Sequence, residues 1–525
     1  MKIGICNFFP FRPHVEHMSF LAKSFIADGH DLFYLDCLWA LNSCYNLEIK
    51  APALKWTECA KCSLGGMRTY LQGNFTSISS DLRSELSDAD LDKMSLSSSY
   101  TLTRVEDPKD FESSGVTKFQ SKLRPSVSIV YANAKKWLSD NKIQYVFLFN
   151  GRMDITRAVL EACQDLSIKC ITVERTWFGH GLQLNLSGNC LSLTDLRKLS
   201  RTFLSKPLTK IQAQKAASYI ISRFFKNNVL EWRQYNTESK SRPWPSHKAT
   251  NKKKILIIPS SKNEQLSHPD WSNPWVEYLS IFDKLISKFD NGEVDCVVRG
   301  HPNWGQLIGS VGGSQIETYY KKWCSERGYA FLDSNDNTDT ASLIEQCDYV
   351  IVNGSSAAYE AGILGKKIVC VSKCHYDTAD FLKVITNYDD LDAFSPHTHH
   401  WLEVNDIIRH TLRFVYLFAD RYALFKSNIV ARTTTEYVYG NLLDVKRILD
   451  MVDLGQLNPD DIDFSQNCEG EDSVIERITH QDWMDFKFAP YPVNAEMFNK
   501  EKRRFGLRWI DRARNLQPRG DLKKG

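Results

Sequence analysis

The sequence predicts an α/β protein in which two doubly wound, Rossmann-like domains face a central cleft. Two separate stretches of the 525-residue chain alternate strand and helix patterns, and the polar segment "NTESKSRPWPSHKATNKKK" divides them. Helical patterns return after the second stretch. With 42% hydrophobic and 25% charged residues, the composition is that of a globular protein, and the net charge of +3 gives no reason to expect nucleic-acid binding.

The N-terminal domain, residues 1–185, begins with a βαβ pattern. His14–Ala27 has apolar residues at helical spacing, and Gly29 follows as a helix-ending glycine. Residues 64–125 form a polar insert, for which we expect short helices and loops. The strands predicted in this domain are Lys2–Phe9, Asp31–Leu35, Gln144–Phe149 and Lys169–Val173, and Asp154–Leu166 is a further helix.

The C-terminal domain, residues 251–400, repeats the alternation after a helical connection and linker at 186–250. Its predicted strands are Lys254–Ile258, Val294–Arg299, Tyr329–Leu332, Tyr349–Val352 and Lys367–Val371, with helices at 275–289, 315–327, 341–347 and 356–364. Residues 401–525 form a helical C-terminal region with a basic tail, for which we predict a helix over 496–516.

No stretch approaches the 18 apolar residues that a membrane span needs, and the opening "MKIGICNFFPFRPH" is too short for a signal peptide. These features predict a cytoplasmic protein. Cys59 and Cys62 form a CxxC pair that Cys37 and Cys44 would complete to four ligands, but their irregular spacing favours ordinary thiols over zinc. We therefore expect no metal and no cofactor.

Three loops at strand ends of the C-terminal domain suit a nucleotide phosphate. They contain Ser261-Lys262, Arg299-Gly300-His301-Pro302 and Asn353-Gly354-Ser355-Ser356. In parallel sheets ligands bind beyond the carboxyl ends of the strands, and hydroxyls, imidazoles and cations bind phosphate. Glu360, one helical turn after Ser356, is a candidate for the ribose hydroxyls. The alternatives are that Ser355 only caps a helix and that His301 only packs.

The segments "RGHPN" and "VNGSSAAYEAGILGKKIVCVSKCHYD" resemble bacterial capsular polysaccharide biosynthesis transferases, including retaining Kdo transferases that use CMP-Kdo. Sialyltransferases of the GT-B type carry similar His-Pro and Ser-Ser motifs. The resemblance covers about 120 residues of the C-terminal domain. It implies a GT-B fold, a CMP-linked donor bound by His301-Pro302 and Ser355-Ser356, and a role there for Tyr376.

The same resemblance implies a catalytic acid in the N-terminal domain, where the family has a Glu/Asp pair followed by glycine. In "VERTWFGHGLQL", Glu174 occupies the expected strand end, but Arg175 replaces the second acid and His180 lies between two delayed glycines. Glu174, His180 and Arg152 are the catalytic candidates, which leaves the base or nucleophile open.

Two further loops of the N-terminal domain should reach the same cleft. Asn150 and Arg152 lie in "FNGRMDITRA" between a strand and a helix, and His14, Glu16 and His17 lie in the first βα loop. Asn150 and these three residues are the candidates for the acceptor side. Because helix N-termini favour such residues anyway, a purely structural role is the alternative.

The sequence thus predicts a glycosyltransferase that moves a sugar, such as Kdo or a related ulosonic acid, onto a surface polysaccharide or lipopolysaccharide. Its partners would be a nucleotide-sugar donor, a glycan or lipid-linked glycan acceptor and, through the basic aromatic tail, the anionic inner face of the cytoplasmic membrane. The tail could instead pack on the N-terminal domain. A CDP-alditol phosphotransferase, a nucleotide-sugar epimerase and a non-catalytic GT-B scaffold remain alternatives.

Overall fold

The computed structural model describes residues 1–107, 115–245, 252–275, 277–289, 293–308, 311–486 and 497–515. The elements of the N-terminal domain are β1 (Lys2–Cys6), α1 (His14–Ala27), β2 (Asp31–Asp36), α2 (Tyr45–Ile49), α3 (Lys55–Gly65), β3 (Asn74–Ser77), α4 (Asp88–Thr103), α5 (Val116–Asn141), β4 (Tyr145–Phe149), α6 (Asp154–Asp165), β5 (Lys169–Arg175) and β6 (Leu182–Asn185).

The sheet of the N-terminal domain has the strand order β3-β2-β1-β4-β5-β6. Neighbouring strands are parallel except for β6, which runs antiparallel to β5. The central strands β1 and β4 are nearly continuous apolar runs, KIGIC and YVFLF, and are buried. Such runs suit a parallel sheet that helices cover on both faces.

Two connecting helices, α7 (Thr194–Phe203) and α8 (Lys210–Phe224), lead to the C-terminal domain. That domain contains β7 (Lys253–Ile258), α9 (Tyr278–Ile286), β8 (Val294–Arg299), β9 (Leu307–Ile308), β10 (Val311–Gly312), α10 (Ser314–Arg327), β11 (Ala330–Leu332), α11 (Thr340–Gln346), β12 (Tyr349–Val352), α12 (Ala357–Ile363), β13 (Lys367–Cys370) and β14 (Lys383–Val384).

The second sheet has the order β11-β8-β7-β12-β13-β14 with parallel pairing. When only the strands of the six-stranded sheet are numbered along the chain, each sheet has the order 3-2-1-4-5-6, which is the Rossmann order. The predicted fold class is therefore confirmed. The carboxyl ends of the two sheets meet across the cleft, where Nη2 of Arg152, after β4, lies 3.6 Å from Glu264, after β7.

The C-terminal domain ends with α13 (Tyr388–Ala393). The C-terminal region contains α14 (Val404–Tyr416), β15 (Ile429–Ala431), β16 (Tyr437–Tyr439), α15 (Val445–Leu454), α16 (Glu469–Thr479) and α17 (Arg508–Asn515). The connecting helix α8 packs against α12, α14 and α16. A buried ion pair between Arg413 and Glu471 joins α14 to α16. Across the described ranges, no helix is both long and apolar enough to cross a lipid bilayer.

The chain then returns to the N-terminal domain. The hydroxyl of Tyr439 in β16 lies 3.0 Å from Nδ1 of His17 in α1, although 422 positions separate them in sequence. Asn499 pairs with Tyr439, and the amide of Arg504 donates to the carbonyl of Thr69 over 2.8 Å. Residues 437–439 and 497–515 therefore form a strap that crosses the surface of the first domain.

Two expectations about irregular regions are wrong. The polar insert contains a sheet strand, β3, and the 16-residue helix α4, which is capped by the hydroxyl of Ser87 as it accepts from the amide of Asp90. In the tail, α17 is the helix and covers only Arg508–Asn515, because Asn499 and Arg504 make backbone hydrogen bonds that require a non-helical chain. Residues 496 and 516 of the predicted tail helix lie outside the described residues.

Candidate functional site

A carboxylate and an imidazole meet at the carboxyl edge of the first sheet. Oε1 of Glu174, in β5, lies 3.0 Å from Nδ1 of His14, the first residue of α1. Asn150, held after β4 at a φ of +63°, donates from Nδ2 to Oε2 of Glu174 over 2.9 Å. Burial lowers the pKa of His14, and the nearby Glu174 opposes that shift. Three residues predicted from separate loops therefore form one cluster.

Arg152 is buried beside this cluster and is held mainly by α4. Its Nη1 donates to the hydroxyls of Ser97 and Thr101, each over 3.0 Å. With its approach to Glu264, Arg152 connects the polar insert to the C-terminal domain. The structure thus gives this catalytic candidate contacts that span the cleft.

Glu16 and His17 point into the N-terminal domain. Glu16 accepts a hydrogen bond from the hydroxyl of Tyr70 over 2.9 Å, and burial raises its pKa. His17 is buried against Tyr439, and burial lowers its pKa well below the usual value. In this structure both acceptor-side candidates make packing contacts.

His180, a catalytic candidate, is buried against the C-terminal region. Its Nδ1 accepts from the amide of Ala431 over 3.1 Å, and burial lowers its pKa to about 3. The flanking Gly179 and Gly181 have φ values of +106° and +85°, and a Cβ on Gly181 would come 2.5 Å from the carbonyl oxygen of Leu424. The two glycines thus permit a close backbone contact between this loop and the C-terminal region.

His301 is a neutral imidazole with a defined tautomer. Its Nδ1 accepts from the amide of Asn303 over 3.1 Å, so the ring proton is on Nε2. Burial, followed by the charges of nearby arginines, lowers its pKa to about 3. The Nε2–H group is therefore the donor that this side chain can offer to an oxyanion.

The neighbours of His301 shape the loop. Pro302 begins a short 3-10 helix, Pro302–Gly305. Arg299 is buried, and its two Nη atoms donate to the carbonyl oxygens of Asp333 and Asp336 over 2.6 and 2.7 Å. The predicted phosphate ligand Arg299 thus holds the loop after β11 in this structure.

The donors of the loop after β7 already bind a carboxylate. Glu106, which follows α4 in the polar insert, accepts from the Ser261 hydroxyl over 2.5 Å and from the Lys262 amide over 2.9 Å. It also accepts from the indole of Trp304 over 3.2 Å. Burial raises the pKa of Glu106 and these donors oppose the rise. An acidic group of the first domain therefore occupies the predicted anion-binding loop of the second.

The ammonium group of Lys262 lies between three loops of the second sheet. Its Nζ donates to the Ser372 hydroxyl, after β13, over 3.0 Å. A Cβ on Gly354, after β12, would come 2.9 Å from this Nζ, and Gly354 has a φ of +108°. The positive φ favours glycine at this position, and the buried ammonium of Lys262 lies beside the Ser-Ser motif.

The Ser-Ser motif opens α12. The hydroxyl of Tyr376 donates to the carbonyl of Ser355 over 2.9 Å. Tyr376, which the resemblance assigns to nucleotide binding, therefore supports the Ser-Ser motif through its backbone. The hydroxyl of Ser355 accepts weakly from the amide of Ala357 over 3.4 Å. Ser356 makes no capping hydrogen bond through its side chain.

Glu360, the candidate ribose ligand, is bound to an arginine of the connecting helix. Nη1 of Arg223, in α8, donates to Oε2 of Glu360 over 2.5 Å and to the carbonyl of Ser356 over 3.1 Å. Nε of Arg223 donates to Glu231 over 2.9 Å. The connecting helix therefore positions the loop that the sequence assigns to the nucleotide.

Sequence reasoning missed the segment 232–235, which contacts both His14 of the first domain and His301 of the second. The Trp232 ring centroid lies 6.4 Å from that of His14, and the Tyr235 centroid lies 6.0 Å from that of His301. The guanidinium of Arg175 lies over Trp232 at 4.6 Å. The available signal was the pair of aromatic residues in "WRQYN", within a stretch interpreted as connection.

Among the residues that the structure covers, no group of three or more His, Cys, Asp or Glu side chains is arranged to hold a metal ion. Cys37, Cys44, Cys59 and Cys62 are free thiols that line one cavity of the N-terminal domain.

No protein-family model and no curated protein matches the chain. Solved structures with a similar arrangement include two Thermosulfurimonas dismutans KpsC structures. The β-Kdo 2,4 transferase has 12% identity and a TM-score of 0.33, covering 64% of this chain and 87% of the other. The β-Kdo 2,7 transferase has 15% identity and a TM-score of 0.33, covering 62% and 89%. Acinetobacter baumannii MurG has 11% identity and a TM-score of 0.25, covering 80% and 94%.

Kdo transferases, which the motifs resemble, are thus among the similar structures. At these identities and TM-scores the overlays carry no argument about activity. The assignment of the fold rests on the two sheets described above.

Proposed function

We propose that this protein is a glycosyltransferase that uses a nucleotide-activated donor, CMP-linked and carrying Kdo or a related ulosonic acid, and a surface polysaccharide or lipopolysaccharide acceptor. One observation carries the proposal. Trp232 lies beside His14 of the His14–Glu174 pair, and Tyr235, three residues later, lies beside His301 with its Nε2–H donor, so one short segment contacts both groups. An acid–base pair opposite a set of phosphate donors is what transfer from a nucleotide requires.

On the donor side, His301, Lys262 and Ser356 supply an imidazole N–H, a buried ammonium and a hydroxyl. A bound phosphate would raise the pKa of His301 and strengthen its hydrogen bond. Such fixed donors stabilise negative charge as it develops on the leaving phosphate.

In this proposal the carboxylate of Glu106 fills part of the donor site when no substrate is bound. Its carboxylate holds the Ser261 hydroxyl and the Lys262 amide, two donors that a phosphate or a sugar carboxylate would use. Two anions cannot share these donors, so the donor substrate displaces the carboxylate of Glu106.

On the acceptor side, Glu174 acts through His14. A carboxylate next to Nδ1 favours the tautomer with its proton on Nδ1, which leaves the lone pair of Nε2 to remove a proton from an acceptor hydroxyl. Asn150 fixes the orientation of the carboxylate.

We also propose peripheral contact with the inner face of the cytoplasmic membrane through the tail. The strap leaves Phe505 and Trp509 exposed beside Arg504, Arg508 and Arg512. Aromatic and cationic side chains together favour an anionic lipid surface. Co-sedimentation with anionic vesicles should fall when both Phe505 and Trp509 are changed to Ser, and equal sedimentation would reject this contact.

The direct test of the enzyme proposal is a binding panel with CMP, CDP and UDP, followed by donor turnover. Binding of CMP in preference to UDP, with transfer of an ulosonic acid to a glycan, supports the proposal. If none of the three nucleotides shifts the melting temperature, the donor site is wrong.

Product analysis separates the remaining activities. A phosphodiester product would identify a phosphotransferase, and an isomerised nucleotide sugar without transfer would identify an epimerase. Nucleotide binding without turnover on any acceptor would indicate a scaffold.

A further inference from the structure

Two arginines from different parts of the chain meet at the loop that carries His301. Arg104, the residue after α4, donates from Nη1 to the carbonyl of Gln306 over 3.0 Å and from Nη2 to the carbonyl of Asn303 over 2.7 Å. Arg233, which follows the connecting helix α8, donates from Nη1 to Oε1 of Gln306 over 2.8 Å. Both guanidinium groups are therefore bound to this one loop.

Within the described part of the chain, neither of these guanidinium groups forms an ion pair with an aspartate or glutamate. Glu106 is close in sequence to Arg104, but its carboxylate binds the loop after β7. Glu264 lies 3.6 Å from a third arginine, Arg152. Two positive charges on one loop without an anion are unfavourable, and more so because Arg104 is only 4% exposed. They point to an anion that a ligand brings.

The two charges act on the same side chains of the cleft. Burial lowers the pKa of His301, and the charges of Arg104 and Arg233 lower it further. Burial raises the pKa of Tyr235, and the same two charges oppose the rise. Because the ring of Tyr235 lies beside that of His301, the arginines border the part of the cleft that holds the proposed phosphate donor.

Arg233 is the arginine of this pair that a ligand can reach, since it is exposed and Arg104 is buried. Among the described residues, its polar partners are the amide oxygen of Gln306 and the phenol of Tyr235, which are both neutral. A guanidinium has five N–H groups in a planar fork. Arg233 therefore keeps donors for a carboxylate.

The position of Arg233 in the chain relates it to the transferred sugar. It lies between Trp232, which contacts His14, and Tyr235, which contacts His301. In the proposed reaction the sugar lies between the base and the leaving phosphate. The anomeric carbon of an activated ulosonic acid carries both the phosphate oxygen and a carboxylate, so a second negative charge lies beside the phosphate. A neutral hexose donor has no such charge.

We propose that Arg233 binds the carboxylate of the transferred sugar and thereby selects ulosonic acids over neutral hexoses. Arg104 supplies the second positive charge of this subsite. The identity of the ligand rests on the proposed function, because the carboxylate belongs to the proposed donor. Arginine and carboxylate form two parallel hydrogen bonds in their favoured geometry, which gives both affinity and orientation.

The test is calorimetric titration of the full chain with CMP and with CMP-Kdo. The wild type should bind CMP-Kdo more tightly than CMP. Arg233→Gln should weaken CMP-Kdo binding about 10- to 100-fold, because it removes hydrogen bonds to a charged group, and should leave CMP affinity within about threefold. Arg233→Lys keeps the charge without the fork and should give an intermediate loss. The control, Arg201→Gln at an exposed site on α7, should change neither affinity.

A loss confined to CMP-Kdo, with an unchanged melting temperature, supports the proposal. Equal affinity of the wild type for CMP and CMP-Kdo, or an unchanged CMP-Kdo affinity in Arg233→Gln, overturns it and leaves the nucleotide site standing. Equal losses of CMP and CMP-Kdo binding would make Arg233 a phosphate ligand, which also overturns the proposal.

Titration with free Kdo at millimolar concentration separates this proposal from the proposed enzyme. If the wild type binds neither CMP nor CMP-Kdo, the proposed donor site is wrong. Binding of free Kdo that Arg233→Gln abolishes would then retain the carboxylate site alone. Absence of Kdo binding as well would overturn both.

Discussion

The two α/β domains have the same strand order but differ in what their loops place at the cleft. The N-terminal sheet brings a carboxylate, an imidazole and an amide together through Glu174, His14 and Asn150. The C-terminal sheet presents donors and cations, including His301 and Lys262. One edge therefore suits proton transfer and the other suits anion binding. The scaffold fixes where the groups lie, and the loops fix their chemistry.

If the two edges have these different roles, substitutions at the N-terminal edge should lower turnover and substitutions at the C-terminal edge should lower nucleotide affinity. Glu174→Gln should lower kcat about 100- to 10,000-fold, because it removes the charge that orients His14, while nucleotide affinity stays within twofold. Steady-state turnover and calorimetric titration measure the two quantities. Glu85→Gln, at an exposed site in the insert, is the control. If Glu174→Gln lowered nucleotide affinity as much as it lowered kcat, the two edges would not have separate roles.

On the other edge, His301→Ala should weaken CMP binding about 10- to 100-fold, because a hydrogen bond to a charged group contributes about 1.5–3 kcal/mol. Titration calorimetry measures the loss, and an unchanged melting temperature shows that the fold is intact. His400→Ala, an exposed histidine, should bind normally. Wild-type affinity in His301→Ala would remove this residue from the donor site.

One histidine in each domain has a strongly lowered pKa, which should make stability depend on pH. His180 and His301 have pKa values near 3 when folded, against about 6.5 when unfolded. The unfolded chain therefore binds more protons below pH 6.5, and stability falls from there toward pH 3, by up to about 1.4 kcal/mol per pH unit for each residue.

Thermal unfolding at pH 7 and pH 5 tests this expectation. The drop in melting temperature should be smaller in His180→Asn than in the wild type. An identical drop in both proteins would show that the pKa of His180 does not differ between the folded and unfolded states.

The smallest expected effect concerns Glu106 of the first domain, which binds donors of the second domain. Glu106→Ala frees the Ser261 hydroxyl and the Lys262 amide, so CMP affinity should rise severalfold, while the melting temperature falls because three donors lose their partner. Glu106→Gln should give an intermediate affinity. Weaker binding in both variants would mean that Glu106 supports the loop and does not compete with the donor.

Local patterns predicted the central elements well. Apolar runs and helical spacing gave α1 at its observed bounds and placed β8 and β12 correctly. They missed the edge strands β3, β6 and β14, which are short and carry polar residues. Each of these strands has only two to four residues and pairs with a single neighbouring strand, so its sequence is too short to show a strand pattern.

The site divides in the same way. Glu174, Asn150 and His14 could be predicted because the ends of parallel strands share one edge of a sheet. Glu106 could not, because its partner Ser261 lies 155 positions away and nothing local marks the contact. The pairing of Glu360 with Arg223 also depends on how α8 packs, which tertiary structure decides.

The strap has a consequence for how the protein forms during synthesis. Tyr439, which covers His17, is synthesised 422 residues after it. Arg503 and Asn499 add their contacts later still. The first domain therefore leaves the ribosome with an uncovered flank, and its packing is completed only after these later residues have been made.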